Sequence, residues 1–288
     1  MSRLKWRAVF RVKARNWVGR GIAYLILVAW TVFAIYAVGW VFLSSFSTTR
    51  EIFTNTLLSS GIHIENYVKA LTTHSLGLYF LNSTIYVCGS LVFLILIAAP
   101  ASYVLSRFEF FGRKALQLLF VAAMGIPATM VTIPIFMMFI RLNLVGTIPG
   151  LIIVYVFGSI PFTVYFLTGF FGSLPREMEE SAKIDGCTDV MAFWRIMLPL
   201  AQPAIITVTI FNFIGLWNDY FWALIFVNTP ARRTLALGLQ YLVQSMRYTG
   251  DWAGMFASVV IVFLPTLLLY LFLSEKIIAG ITVGAVKA

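Results

Sequence analysis

Apolar residues along this chain gather into six runs long enough to cross a bilayer, at about 21–44, 83–105, 116–140, 150–172, 201–227 and 253–273. Only a continuous helix satisfies its own backbone in hydrocarbon, so the pattern predicts an all-α membrane protein with six transmembrane helices. The pattern changes between the fourth and fifth runs, where residues 173–199 are polar and amphipathic. Ser173, Leu174 and Pro175 read as the approach to a short helix, with Pro near the first turn, where a missing N–H costs nothing. Glu177, Glu179 and Glu180 then fall at the positive end of its dipole. Gly186, after Asp185, supplies a bend, and Thr188 is placed to cap a second short helix carrying Val190, Phe193, Trp194 and Met197. Pro199 and Pro203 close that helix before the next run. The expectation is helix, bend, helix, with apolar residues turned toward something other than lipid.

Composition agrees with the pattern. The 288 residues are 60% hydrophobic and 11% charged, with a mean hydropathy of +0.91, too little polar surface to cover a soluble domain. The net charge of +10 reads as topology rather than nucleic-acid binding, because Lys and Arg mark cytoplasmic loops. With six spans, fifteen basic residues fall on the side that holds both termini and six on the other, which puts both termini in the cytoplasm. The chain then divides into a basic segment 1–20, a first helix 21–44, an external loop 45–82, a core 83–273 and a tail 274–288. The core contains the cytoplasmic loop 173–199 and a second external loop 228–252. The first run is too long for a removable signal peptide and lacks a small-residue cleavage site, so it is expected to stay in the membrane. Pro100, Pro127, Pro134, Pro161 and Pro265 lie inside runs, and the pairs Gly125/Pro127 and Gly158/Pro161 are expected to soften or kink their helices.

Candidate chemistry is sparse. Cys88, Cys187, His63 and His74 make neither a disulfide framework nor a metal set, and no G-x-x-x-x-G-K-[ST] phosphate cradle occurs. Scattered polar groups give no catalytic constellation, so a non-catalytic role is expected. The stretch "GLWNDYFWALIF" places Trp217, Asn218, Asp219 and Tyr220 within the fifth run. Aromatic faces beside hydrogen-bonding groups suit a sugar passage; the same residues also suit helix pairing and an interfacial aromatic belt. An ion-coupled secondary transporter is the alternative class, and it needs a relay of buried ionisable groups for which Asp219 is the sole clear candidate. The loop 228–252, with Arg232, Arg233, Arg247 and Asp251, is a candidate surface for a soluble partner.

The loop 173–199 carries a resemblance. Glu180-Ser181-Ala182, then Gly186 and then Ile196-Met197-Leu198-Pro199 resemble the EAA-x3-G-x9-I-x-LP loop of permease subunits in binding-protein-dependent ABC importers, with Ser181 as the one departure. "ASYVLSRFEFFGRK" at 101–114, "NYVKALTTHSLGLYFLNS" at 66–83 and "SEKIIAGITVGAVKA" at 274–288 are similar to the carbohydrate, maltose-type branch. The resemblance implies the type I ABC importer permease fold in the bacterial inner membrane. It implies that Glu180, Ser181, Ala182, Asp185, Gly186, Ile196, Leu198 and Pro199 dock on an ATPase. The implied partners are two ABC ATPase subunits that hold ATP and Mg, a second permease subunit and an extracytoplasmic solute-binding protein; this chain is expected to bind no cofactor.

Overall fold

The computed structural model describes the backbone of residues 2–285 and the side chains of 19–273 other than Arg247. The side chains of the basic segment through residue 18, of Arg247 and of the tail 274–288 therefore lie outside the described residues. Fourteen α-helices follow one another, with no strand among the described residues. They are α1 (Ser2–Ser45), α2 (Thr49–Thr54), α3 (Glu65–Thr72), α4 (Leu76–Arg107), α5 (Arg113–Met124), α6 (Ala128–Arg141) and α7 (Ile148–Ser173). After these come α8 (Glu177–Ile184), α9 (Asp189–Ala192), α10 (Leu198–Leu200), α11 (Gln202–Trp217), α12 (Phe221–Phe226), α13 (Leu235–Thr249) and α14 (Trp252–Ala285).

Four stretches are long and apolar enough to cross a membrane unaided: Gly19–Ser45, α4, α7 and Trp252–Leu273. The other two predicted runs are broken. The third divides into α5 and α6 at a bend of 103°, a break where the sequence suggests a kink. At 1.5 Å per residue these pieces reach only about 18 and 21 Å, so neither crosses a core of about 30 Å alone. Pro127 explains the break: it takes an extended ψ of 133° at the N-cap of α6, and the two preceding residues make tight turn bonds instead of helical ones. Pro100, Pro161 and Pro265 sit inside helices that continue through them. The fifth run is also discontinuous. It enters from α10 at a 71° bend at Ala201, with Pro203 at the start of α11, and α11 stops at Trp217 before α12 resumes at Phe221.

Three apolar clusters hold the bundle. One runs through α4, α13 and α14 and includes Leu94, Trp217, Leu235 and Ala257. A second joins Tyr103, Phe171, Phe193, Met197 and Val208, and a third joins Tyr86, Phe139, Leu151, Tyr155 and Phe226. The predicted external loops are largely helical and lie at one end of the bundle, where polar groups cross-link distant segments. Asn82 Nδ2 donates to the carbonyls of Ala231 and Arg233, Ser83 Oγ accepts from Leu235 N at 2.7 Å, and Arg232 donates to the Gly146 carbonyl. The opposite end carries α8, α9 and α10. These are called the clamped end and the elbow end below.

Candidate functional site

At the elbow, α7 ends at Ser173, Leu174 is extended, and α8 begins at Glu177 with Glu177, Glu179 and Glu180 in its first turn. The helix closes through a paired turn: Cys187 N donates to Ala182 O at 2.9 Å and Gly186 N to Lys183 O at 3.1 Å. That pairing requires a left-handed residue, and Gly186 supplies it with φ of +81°. Thr188 then caps α9, its hydroxyl accepting from Met191 N at 3.3 Å. The chain next widens into a π turn at Phe193–Met197, where Leu198 N reaches back five residues to Phe193 O. Pro199 has no N–H to give the Arg195 carbonyl, which accounts for a wider ladder at that point.

The residues proposed for docking do not share one surface. Glu180, Ser181, Asp185, Gly186 and Pro199 are exposed. Ala182 is 3% exposed and turned inward, while Ile196 and Leu198 are half-buried against the cluster of Tyr103 and Phe171. Of the second helix's apolar residues, Phe193 and Met197 are core and Trp194 faces out. Outward apolar contact is supplied instead by Met178, Ile184 (86% exposed), Val190 and Trp194. Met178 and Ile184 escaped the sequence reading. The available signal was a large apolar side chain at each end of a charged eight-residue helix.

The second site lies mid-bundle. A cavity of about 500 Å³ opens between the halves of the broken third run and α7, lined by Ile135, Phe139, Tyr155, Gly158, Asp219 and Trp222 among others. Its polar groups meet at the α11–α12 break: Tyr155 donates to Asp219 Oδ2 at 2.9 Å, and the same carboxylate accepts from Trp222 N and Ala223 N, capping α12. Of the four residues expected along a passage, Asp219 alone lines this cavity. Trp217 is buried, its indole N–H donating to Val262 O at 3.1 Å and its ring stacked on Phe213. Asn218 is exposed and bonds back to Ile214 O, and Tyr220 is also largely exposed. Tyr155, which no sequence signal marked, lines the cavity from α7 together with Ser159 of the same helix. No group of three His, Cys, Asp or Glu stands close enough to hold a metal among the described residues.

At the clamped end Arg232, Arg233 and Asp251 of loop 228–252 are engaged within the chain. Arg232 holds Gly146, Arg233 lies 3.7 Å over the ring of Tyr241, and Asp251 pairs with Lys69 at 2.8 Å and His74 at 3.0 Å. Burial pushes the Asp251 carboxyl up, but Lys69 and His74 outweigh it and hold it below the ordinary aspartate value.

A helical bundle with broken spans, a mid-bundle cavity and a protruding two-helix elbow is the build of a membrane transport subunit. Residues 92–278 match the profile of the family described as binding-protein-dependent transport system inner membrane component, and the chain belongs to that family. It is 36% identical over 267 residues to a diacetylchitobiose uptake system permease protein of Streptomyces coelicolor, covering 92% of this chain and 88% of that protein. It is 31% identical over 249 residues to a probable starch degradation products transport system permease protein of Thermoanaerobacterium thermosulfurigenes, covering 86% and 89%. In fold it is similar to a chain from the crystal structure of a bacterial ABC transporter involved in import of the acidic polysaccharide alginate. The TM-score is 0.77 at 23% identity, over 88% of this chain and 94% of the other. The chain is thus an inner-membrane permease component of an ABC importer.

Proposed function

We propose that the chain is one of two permease subunits that pass a sugar, delivered by an extracytoplasmic binding protein, across the membrane at the expense of ATP hydrolysed on two partner ATPases. Each bent helix pair then makes one crossing, giving six, and the excess of basic residues sets both termini and the elbow in the cytoplasm. The relatives named for diacetylchitobiose and starch degradation products support a carbohydrate cargo. The chain itself hydrolyses nothing and holds no cofactor; ATP and Mg belong to the ATPases.

The observation that carries this reading is the elbow. Glu180, Ser181, Asp185 and Gly186 stand exposed beside the outward apolar side chains of Ile184, Val190 and Trp194, on a loop held from behind by Phe193 and Met197. Apolar residues exposed on a polar loop, away from the spans, call for a protein partner. An ATPase that closes around such a lever moves the spans as rigid bodies. The mid-bundle cavity is the candidate path, with Asp219, Tyr155 and Trp222 as its hydrogen-bonding and aromatic groups. An ion relay has less support, since the Asp219 carboxylate is engaged in capping α12 and accepting from Tyr155. At the clamped end, Gln240, Tyr241, Gln244 and Tyr248 form the exposed face of α13 offered to the binding protein.

Gly186→Glu tests the proposal. A Cβ placed at Gly186 meets no neighbouring atom within 4 Å, but the φ of +81° strains any L side chain, so Gly186→Ala carries the strain alone and Gly186→Glu adds the bulk and charge that a docked partner feels. The expected result for Gly186→Glu is loss of ATPase co-purification and of uptake, with sugar capture by the binding protein intact. Normal uptake and normal ATPase stimulation in Gly186→Glu would overturn the docking role.

A further inference from the structure

The elbow is joined covalently to α7 through Leu174–Arg176 and to α11 through α10, but not to α4, the 32-residue helix that runs along α7. A contact between side chains closes that gap. Arg107, the last residue of α4, donates from Nη2 to Leu174 O at 2.8 Å, and its Nε lies 3.3 Å from Glu179 Oε2 on α8. The two side chains are only 5% and 14% exposed. Tyr103, one turn earlier, lines the same recess as Arg107 and Glu179. Its ring packs on Phe171 of α7 at 5.7 Å and on Phe193 of the π turn at 5.1 Å. Glu177 and Glu180, which share the first turn of α8, are exposed; Glu179 alone turns inward.

We propose that the Arg107–Glu179 pair, backed by Tyr103, is the tether through which movement of α8 reaches α4, which makes Glu179 a positioning residue for coupling rather than a docking one. The inference rests on the reading of the elbow as the ATPase lever. Burial is what suits the pair to the task. Removing one partner of a buried pair leaves an uncompensated charge, so the contact resists opening under load. Lys183–Asp189, which spans the bend at 2.9 Å, is about half exposed on each side and exchanges readily with water.

The test uses the full complex with its ATPases, second permease and binding protein, with Cys88 and Cys187 replaced by Ser. A fluorophore is placed either at Glu177→Cys on α8 or at Phe111→Cys, a fully exposed site in a loop tied back to α4 by Arg113 bonds to Leu105 O and Ser106 O. The probe is trapping with ATP and vanadate. In Glu179→Gln the response at position 111 is expected to fall by about fivefold while the response at 177 and the trapped nucleotide hold. Charge exchange, Arg107→Glu with Glu179→Arg, should restore it. If Glu179→Gln does not assemble, Tyr103→Phe, which leaves the charges paired, should give a smaller loss at 111 alone. An undiminished response at 111, or an equal loss at both positions, overturns the tether. A label at 177 that stays silent without any substitution in the tether shows that the elbow does not dock, and takes this inference with it.

Discussion

The two ends of the bundle are held by different physics. At the clamped end, polar groups join segments that are remote in sequence: Asn82 and Ser83 to the 231–235 strap, Arg232 to Gly146, and Asp251 to Lys69 and His74. A separate knot ties the 47–60 segment to itself. Glu51 is buried and accepts from Thr48 N, Ser59 Oγ, Ser60 N and Ser60 Oγ, while Leu58 N donates to Ser47 Oγ. The elbow end relies on rings, with Tyr103, Phe171 and Phe193 within 5.1 to 6.4 Å of one another, and on one buried ion pair. Directional bonds fix a single arrangement, so the clamped end presents a finished surface. The elbow is fixed on its inner side only and leaves acidic and apolar groups facing outward, the state expected of a part completed by another subunit.

The largest effect should come from removing the ring that backs the elbow. Phe193 is 4% exposed, and Phe193→Ala should cost about 3–5 kcal/mol of local packing. Limited proteolysis of the assembled complex should then open new cleavage within 176–200 while the clamped end stays intact. Trp194→Ala, one residue on and facing out, should leave the proteolytic pattern unchanged and weaken ATPase co-purification instead. If the two variants behave alike, the distinction between inner and outer faces of the elbow fails.

A smaller effect, confined to the other end, is expected at Glu51. Its hydrogen bonds, Ser59 first and then Thr48 and Ser60, hold the carboxyl well below the ordinary glutamate value of 4.5. A depressed carboxyl contributes stability that is fully present above that ordinary value and is lost as pH falls toward the folded one. Amide exchange across 47–64 should therefore be flat, once corrected for intrinsic rates, from neutral pH to about 5 and should quicken below about 4.5. Glu51→Gln, which offers one acceptor oxygen to four donors, should show quick exchange at neutral pH and lose the acid dependence.

The comparison also shows what one sequence can carry. The apolar runs were legible because the bilayer imposes their length, and Gly186 and Thr188 because left-handed backbone and caps narrow the choice of residue. The bend at Pro127 was legible as a kink but its size was not, since Gly158/Pro161 carries the same signal yet sits in a continuous helix. Packing distinguishes them: α6 turns so that Phe136 and Phe139 meet Phe226 from far along the chain. The helix stops at Trp217 and resumes at Phe221, so "WNDY" straddles a break and never acted as one group. Trp217 went to the core, Asp219 to the cavity, and Asn218 and Tyr220 outward. Helical rotation of about 100° per residue separates Phe193 and Met197 from Trp194, and there the spacing held the answer. The clamp joins residues up to 204 apart, as in Ala253 N to Thr49 Oγ1, and no local pattern announces such pairs.

The smallest effect tests whether the clamp is a network or a set of separate bonds. Asp251 has two side-chain partners and also accepts from Gly254 N at 3.2 Å. Lys69 is about half exposed, so its pair with Asp251 is partly screened and should be worth about 0.2–1 kcal/mol. Lys69→Met keeps the stem and removes the charge, while His74 still reaches the carboxylate. Exchange at the start of α14 should quicken slightly in low salt, and the difference should vanish near 1 M salt, where screening lengths shrink to about 3 Å. A loss larger than that of Glu51→Gln, or one that persists in high salt, would mean that Lys69 carries the joint between α3 and α14 alone. The clamped end would then hinge on one exposed cation, and its contrast with the elbow would disappear.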